Sequence, residues 1–431
     1  MAQAGTRSGN TPVRQASLRE HNLGLVLRHI ATGPPTAGGT DAAGGTVGTG
    51  GTAAAGGRVP SRADIAAATG LTRATVSALV DDLIGGRLVT EVAPTPRAGA
   101  GRPALGLVLA GNGPAGLGLE INVDYLAACV VDLTGRVRHR VVHRADQRPA
   151  GPRDVLARVA DLAAAVRGEA ERQGLAHAGT ALAVPGLVTA DGVVRLAPNL
   201  GWRDVDVPAL VHGHPALAGA PLTVDNEANL AALGELHTAG PASFLYVSGE
   251  IGIGAGIVLD GALLRGARGW SGELGHVAVR PDGPPCGCGA RGCLERYAGQ
   301  DAILAAAGLA DRGHTADQAV ARLTSLAEAA DPAALRALAD AGSALGVTVA
   351  GVINVLDVDT VVLGGVYAPL TPWLAPAVED EVNHRVLTAG WSPVTVRASR
   401  LGGDAAVVGA AGSVVRAVLD RPARWLAGGR P

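Results

Sequence analysis

The sequence predicts an α/β protein of two similar lobes, preceded by a winged helix-turn-helix. Three observations carry that expectation. A strand–strand–strand pattern begins near residue 117 and recurs near residue 244, each time followed by helices and further strands. The first hundred residues show helical spacing broken by a glycine turn. A run dense in cysteine and glycine, Gly272 to Glu295, lies among the later elements. At 431 residues the chain exceeds one ordinary core, so two or three domains are expected.

Residues 1–16 read as a disordered tail, and 17–110 as the DNA-binding unit. Ser17 to Glu20 has the form of a capping box, and Leu23, Val26, Leu27 and Ile30 follow at helical spacing. Residues 32–57 are mostly Gly, Ala and Thr, a low-complexity insertion that loops out. Ser61 to Asp64 caps a second helix, Gly70-Leu71 turns the chain, and Thr72 caps a third. That third helix carries Val76, Leu79, Val80, Leu83 and Ile84 on one face and Arg73, Ala74, Thr75, Ser77 and Ala78 on the other. Short polar groups and one arginine near a helix start suit entry into a DNA major groove. Thr72, Arg73, Thr75 and Ser77 are therefore candidate DNA contacts. Strands at 88–92 and 105–109 would flank a basic wing, with Arg97 and Arg102 reaching phosphate or minor groove. A small helical module that docks another protein has the same apolar spacing.

Charge supports the first reading locally. The whole chain carries a formal charge of −2, but residues 1–110 hold ten arginines against six acids. The chain contains no lysine. The N-terminus shows no apolar signal core, and a reducing cytoplasm fits the cysteine usage. The long uncharged run 341–356 is broken by Gly, Ser and Asn and reads as a buried helix, not a membrane span.

From residue 112 to 425 the pattern is α/β. Strands are expected at 117–120, 126–132 and 137–143, and again at 244–249, 254–259 and 262–264. Buried strands follow at 180–184 and 360–363, with a late one at 394–398. Helices are expected at 152–173 and 226–238, both covering the first lobe, then at 300–312, 315–330 and 333–356, with a closing helix at 404–419. Pro198-Asn199 and Asp225-Asn226-Glu227 follow strand-like runs, where ligands meet open α/β sheets. An amide there can donate and accept as a sugar hydroxyl does, or simply form a turn.

Cys286, Cys288 and Cys293 lie in one short stretch, ten residues after His276. Three thiolates and an imidazole make a closed tetrahedral set suited to a structural zinc ion, knotting 276–293. Gly287, Gly289 and Gly292 let the backbone turn tightly enough for this, a feature without purpose around inert core cysteines. Cys129 sits alone in an apolar run and reads as core. Glu273 and Glu295 flank the knot, either as fixed partners for the hydroxyls of a polyol or as solvated surface acids.

Glu-x-Gly-His followed by Cys-x-Cys-Gly-x-x-Gly-Cys-x-Glu resembles the ROK family (repressors, open reading frames, kinases), here from about residue 15 to 420. The resemblance is to its sugar-responsive repressors, such as those for xylose or N-acetylglucosamine. It implies an actin-like or ribonuclease H-like duplicated fold, zinc on His276, Cys286, Cys288 and Cys293, and sugar contacts from Asn199, Asn226, Glu227, Glu273, His276 and Glu295. One ring nitrogen of His276 would face the metal and the other the sugar. Gly101-Arg102-Pro103 also matches the DNA-binding unit of ROK repressors.

Family kinases carry Asp-x-Gly-Gly-Thr as a phosphate loop, where this chain has Glu120-Ile-Asn-Val-Asp124. Bulky Ile121 and Val123 are expected to block phosphate. The kinase Asn-Asp is Asn226-Glu227 here, and the longer acid misplaces its carboxylate. The second loop, Gly249 to Gly256, keeps its glycines, which also serve a tight strand turn. The expectation is a repressor with no catalytic residues, bound to operator DNA as a homodimer or homotetramer and taking no part at a membrane. An ATP-dependent sugar kinase and a zinc-stabilised scaffold are the alternatives.

Overall fold

A computed structural model of the chain describes residues 15–32, 59–93, 104–217, 221–238, 240–310 and 316–428. The expected tail and glycine-rich insertion fall almost wholly outside these residues, as do Arg97 and Arg102.

Three helices lead: α1 (Gln15–Ala31), α2 (Arg62–Thr69) and α3 (Arg73–Gly85). Leu23, Val26, Leu27, Ile65, Val76, Leu79, Val80 and Leu83 close their shared core. Ser61 and Asp64 form the reciprocal capping box, and Gly70 ends α2 in left-handed backbone at φ 71°. Thr72 caps α3, accepting from the Thr75 N–H at 3.1 Å. The box at Ser17 does not form. Helix α1 has already begun at Gln15, which places Ser17 inside the helix instead of ahead of it. Strands β1 (Val89–Val92) and β2 (Gly106–Leu109) pair antiparallel. Arg62 ties these pieces together, reaching Asp81 of α3 at 2.7 Å and Glu91 of β1 at 3.0 Å.

Next come β3 (Pro114–Ile121), β4 (Tyr125–Asp132), β5 (Val137–Arg144), α4 (Pro152–Arg172) and β6 (Ala176–Val184). A small sheet of β7 (Leu187–Val188), β8 (Val193–Ala197) and β9 (Trp202–Asp206) leads through α5 (Val207–Val211) to β10 (Leu222–Asn226) and α6 (Glu227–His237). The second half holds β11 (Phe244–Gly249), β12 (Ile253–Leu259), β13 (Ala262–Leu263), α7 (Glu295–Ala298), α8 (Gln300–Ala306), α9 (Ala316–Glu328) and α10 (Pro332–Leu356). It closes with β14 (Thr360–Gly365), α11 (Tyr367–Arg385), β15 (Thr395–Ala398), α12 (Ala405–Asp420) and α13 (Pro422–Leu426).

The two main sheets run β5-β4-β3-β6-β10 and β13-β12-β11-β14-β15. In each, the first three strands in sequence form an antiparallel meander. The fourth and fifth lie parallel to the first. Equal order and equal direction establish the duplication that the sequence pattern suggested.

Helices α6 and α12 lie between the sheets. The expectation that residues 226–238 cover the first lobe is corrected: α12 covers the first sheet, and α6 packs mainly on β12 of the second. Glycine explains the choice. A Cβ on Gly116 or Gly118 of β3 would fall 2.2 or 2.1 Å from the carbonyl oxygens of Ala411 and Val407 on α12. One on Gly254 or Gly256 of β12 would strike Ala228 and Ala232 of α6. The helices also touch through glycine, since a Cβ on Gly409 would lie 1.9 Å from Leu230 O. At this density α12 has no room to shift alone.

Helix α10 buries Ala341, Leu345, Val349 and Ile353 against α11, as expected of a core helix. It and the stretch Gly402–Asp420 are long and apolar enough to cross a bilayer, but both bury much of that surface inside the protein. The core of α1–α3 is continuous with that of α12, and α13 rests on both α1 and α3.

Candidate metal centre and ligand cleft

The run Gly272 to His276 turns flat against β12. Gly272 has φ 103°, and a Cβ there would lie 1.9 Å from Ala255 O; one on Gly275 would lie 2.5 Å from Ile253 O. Only glycine permits this contact, which seats Glu273 and His276 beside the strand. Glu273 is exposed and His276 half-buried.

The cysteine run folds back through bridges Ala278–Cys293 and Pro285–Arg291. Cys286 N–H donates to Ala290 O at 2.9 Å, and Gly289 N–H to Cys286 O at 3.0 Å. Gly289 and Gly292 have φ 95° and 68°, and a Cβ on Gly292 would collide with Arg280 O. Gly287 has ordinary backbone and open space around it, so two glycines shape the turn, not the expected three. The ligand atoms of His276, Cys286, Cys288 and Cys293 all lie within 4.8 Å of one another. The sulfurs of Cys288 and Cys293 are 3.7 Å apart, and Cys286 Sγ is 3.8 Å from His276 Nδ1. A tetrahedron with metal–sulfur bonds of about 2.3 Å has edges of about 3.8 Å. The four residues therefore fit a closed four-coordinate metal ion. Cys129 stays fully buried, its thiol donating to Val407 O at 3.3 Å.

The ends of β3, β10, β11 and β14 bring Glu120, Glu227 and Glu250 near one another between the sheets, the edge at which such sheets bind ligands and here called the cleft. Asn199 and Glu295 approach across it. A Cβ on Gly252, in the β11–β12 turn, would sit 3.0 Å from Glu295 Oε2 and 3.1 Å from Asn199 Nδ2. Glu227 Oε1 lies 3.7 Å from the same point on Gly254. The structure thus brings Asn199, Glu227 and Glu295 to one turn, with Glu273 and His276 alongside.

Asn226 is already saturated. Its Oδ1 accepts from Ala228 N–H at 2.8 Å and Asn229 N–H at 3.2 Å, capping α6. Its Nδ2 donates to Gly186 O at 3.0 Å and to Glu227 Oε2 at 3.2 Å. Its polar atoms hold Glu227 in place.

Two further acids complete the cleft, and sequence reasoning treated them only as loop residues. Glu120 lies one residue before the end of β3, nearly buried, and its Oε1 accepts from the Tyr125 hydroxyl at 2.7 Å while Oε2 has no hydrogen-bond partner among the described residues. Burial pushes its carboxyl up to about 7, Asp404 adding to the rise and the Tyr125 bond opposing it. Glu250 lies in the β11–β12 turn. Glu227 is half-buried. Even so, the surrounding protein, and then the charges of Glu273, Glu120 and Glu250, hold its carboxyl well above the usual range.

At the place of the kinase phosphate loop, the expected steric block takes another form. Ile121 and Val123 point into the first lobe's core, away from any ligand. What is lost is the amides: Asn122 N–H donates to Tyr125 O at 2.9 Å and Val123 N–H to Asn122 Oδ1 at 2.7 Å. In the second loop, a Cβ on Gly249 would strike the Tyr367 ring. Gly249, Gly254 and Gly256 are therefore accounted for by packing.

On α3, Arg73 is exposed beside Ala74 and Ala78. The Thr72 and Thr75 hydroxyls bond each other at 2.8 Å, and Ser77 is half-buried.

The model of the ROK family matches residues 116–416. The chain belongs to the ROK family. It is 29% identical over 365 residues to the xylose repressor of Bacillus subtilis, covering 84% of this chain and 92% of that one. In structure this ROK protein is similar to a ROK family transcriptional regulator described as a homolog of the E. coli MLC protein. The TM-score is 0.73, over 96% of this chain and 99% of that one at 24% identity, a likeness of fold. It is also similar to a ROK family glucokinase from Streptomyces griseus in complex with glucose and AMPPNP. That TM-score is 0.60, over 69% of this chain and 98% of that one at 26% identity.

Proposed function

We propose that this ROK protein is a sugar-responsive transcriptional repressor of carbohydrate uptake or breakdown genes, working in the cytoplasm as a homodimer or homotetramer. The observation that carries the reading is the leading unit. Three helices and a hairpin, read as a winged helix-turn-helix over 17–110, precede a ROK unit over 112–425, at a length shared with a xylose repressor. Thr72, Arg73, Thr75 and Ser77 would face operator DNA, with Arg97 and Arg102 on the wing. Thr72 and Arg73 are exposed, and Thr75 and Ser77 half-buried. Zinc would be held by His276, Cys286, Cys288 and Cys293 and would fix the corner carrying Glu273 and Glu295. Asn199, Glu227, Glu273, His276 and Glu295 would grip the sugar, and Asn226 would position Glu227.

A ligand acts only through its unequal affinity for two arrangements. Here Glu227 opens α6, α6 packs on α12, and α12 runs into α13 beneath α1 and α3. A change of lobe angle would thus reach the spacing between two DNA-reading helices, and losing one half-site would release the operator.

Fluorescence anisotropy with DNA from upstream of the protein's own gene tests this: salt-sensitive binding, weakened by one sugar of a panel, is expected. Absence of binding at low salt would refute it. Relatives that are kinases keep a sugar kinase as the second reading, and a coupled ADP-release assay on the same panel separates the two.

A further inference from the structure

Resting on the sugar reading above, we infer that the cleft takes a free, unphosphorylated sugar and rejects its phosphate ester.

Charge is the first ground. Glu120, Glu227, Glu250, Glu273 and Glu295 meet at the cleft from both lobes, and the half-buried His276 already faces the cysteine sulfurs through Nδ1. Arg140 and Arg265, on neighbouring elements, are paired with Asp404 and Asp225. No lysine exists in the chain to add a cation. Burial favours the protonated form of Glu120 and Glu227, so the negative field that a phosphate dianion would enter rests first on Glu250 and Glu295 and strengthens as pH rises above 7. Glu120 Oε2 stands buried with no hydrogen-bond partner among the described residues.

Backbone is the second ground. Phosphates bind helix N-termini and turns that offer free amides. The N-terminus of α6 is the one nearest Glu227, and Asn226 Oδ1 already accepts from Ala228 and Asn229 there. In the β3–β4 turn the amides of Asn122 and Val123 are likewise taken. Four of the amides that could hold a phosphate near Glu227 and Glu120 are thus already taken within the chain.

The sensed molecule is therefore the substrate of a sugar-phosphorylating step and not its product. A sensor of this kind reports sugar arriving, before a kinase consumes it.

Calorimetry on the full chain tests this with matched pairs: glucose, mannose, ribose and N-acetylglucosamine, each against its terminal phosphate ester, with and without added magnesium. One free sugar should bind, with its ester at least about a hundredfold weaker, the size expected from two or three partly screened like charges. At pH 8, where Glu120 is ionised, Glu120→Gln should narrow that gap by roughly tenfold, and Glu250→Gln gives an independent check. An ester that binds as tightly as its parent, with magnesium or without, overturns the inference while leaving the sugar reading intact. A panel silent throughout overturns the sugar reading and this inference with it.

Discussion

The indole N–H of Trp425 donates to the carbonyl oxygen of Gly86 at 2.9 Å, joining the last helix of the chain to the end of α3. The two residues are 339 positions apart, and the bond adds to the packing that already joins the leading helices to α12 and α13. Leu426 packs at the same point, where a Cβ on Gly86 would lie 2.1 Å from Leu426 Cδ2. Trp425→Phe keeps most of the packing and removes the bond. The expected cost is about 1 kcal/mol in stability, read by denaturant titration. Operator affinity should change little without sugar, while the sugar-induced loss of binding becomes smaller. An unaltered sugar response would remove Trp425 from the coupling.

Cys288 is the exposed member of the sulfur set, and losing one of four ligands opens the tetrahedron. Cys288→Ser should release the metal, seen as zinc falling well below one equivalent by elemental analysis, and lower the melting temperature. Retention of a full equivalent would mean that another residue completes the site.

Glu120 gives a pH signature. Its folded carboxyl sits at about 7 against an ordinary 4.5, so the folded state binds the extra proton between those values. Stability is therefore greatest below pH 4.5 as far as this group is concerned, and falls as pH rises to 7. Glu120→Gln should raise the melting temperature at pH 8 and leave it nearly unchanged at pH 4.5. An equal effect at both values would assign the change to packing.

Glu235 is fully buried and holds the segment ahead of α12: its Oε1 accepts from Arg400 N–H at 2.7 Å and from the Ser399 hydroxyl at 2.5 Å, and Oε2 from Arg397 at 3.2 Å. Glu235→Ala leaves Arg397 half-desolvated and several donors unmet. A loss of about 3–5 kcal/mol is expected by denaturant titration. A loss under about 1 kcal/mol would show that water replaces the carboxylate.

Arg73→Ala should weaken operator binding, with the slope of log affinity against log salt falling by about 1 if the arginine meets a phosphate. Sugar affinity, measured by calorimetry, should not move.

Much of this was legible in sequence because it depends on local rules. Caps at Ser61 and Thr72, the meanders and the cysteine spacing all follow from residues close in the chain. Helix α11 was missed because Pro372 and Pro376 lie inside it, where local reading predicts a break; packing on α10 overrides them. Helix α6 was assigned to the wrong sheet because its partner surface is made by glycines of β12, and a glycine gives no apolar signal. The acids Glu120 and Glu250 meet Glu227 only through the duplication, which sets distant strand ends side by side. The family resemblance implies Asn226 as a sugar ligand, whereas the bonds that cap α6 and meet Glu227 appear only in three dimensions.

Glycine-to-carbonyl contact on both faces of α12 has a genetic corollary. Random mutagenesis screened for cells that no longer respond to inducer will gather alleles at Gly116, Gly118, Gly234 and Gly409, far from any carbohydrate. Such alleles will resist suppression by changes to the ligand pocket, because what they jam is the gearing.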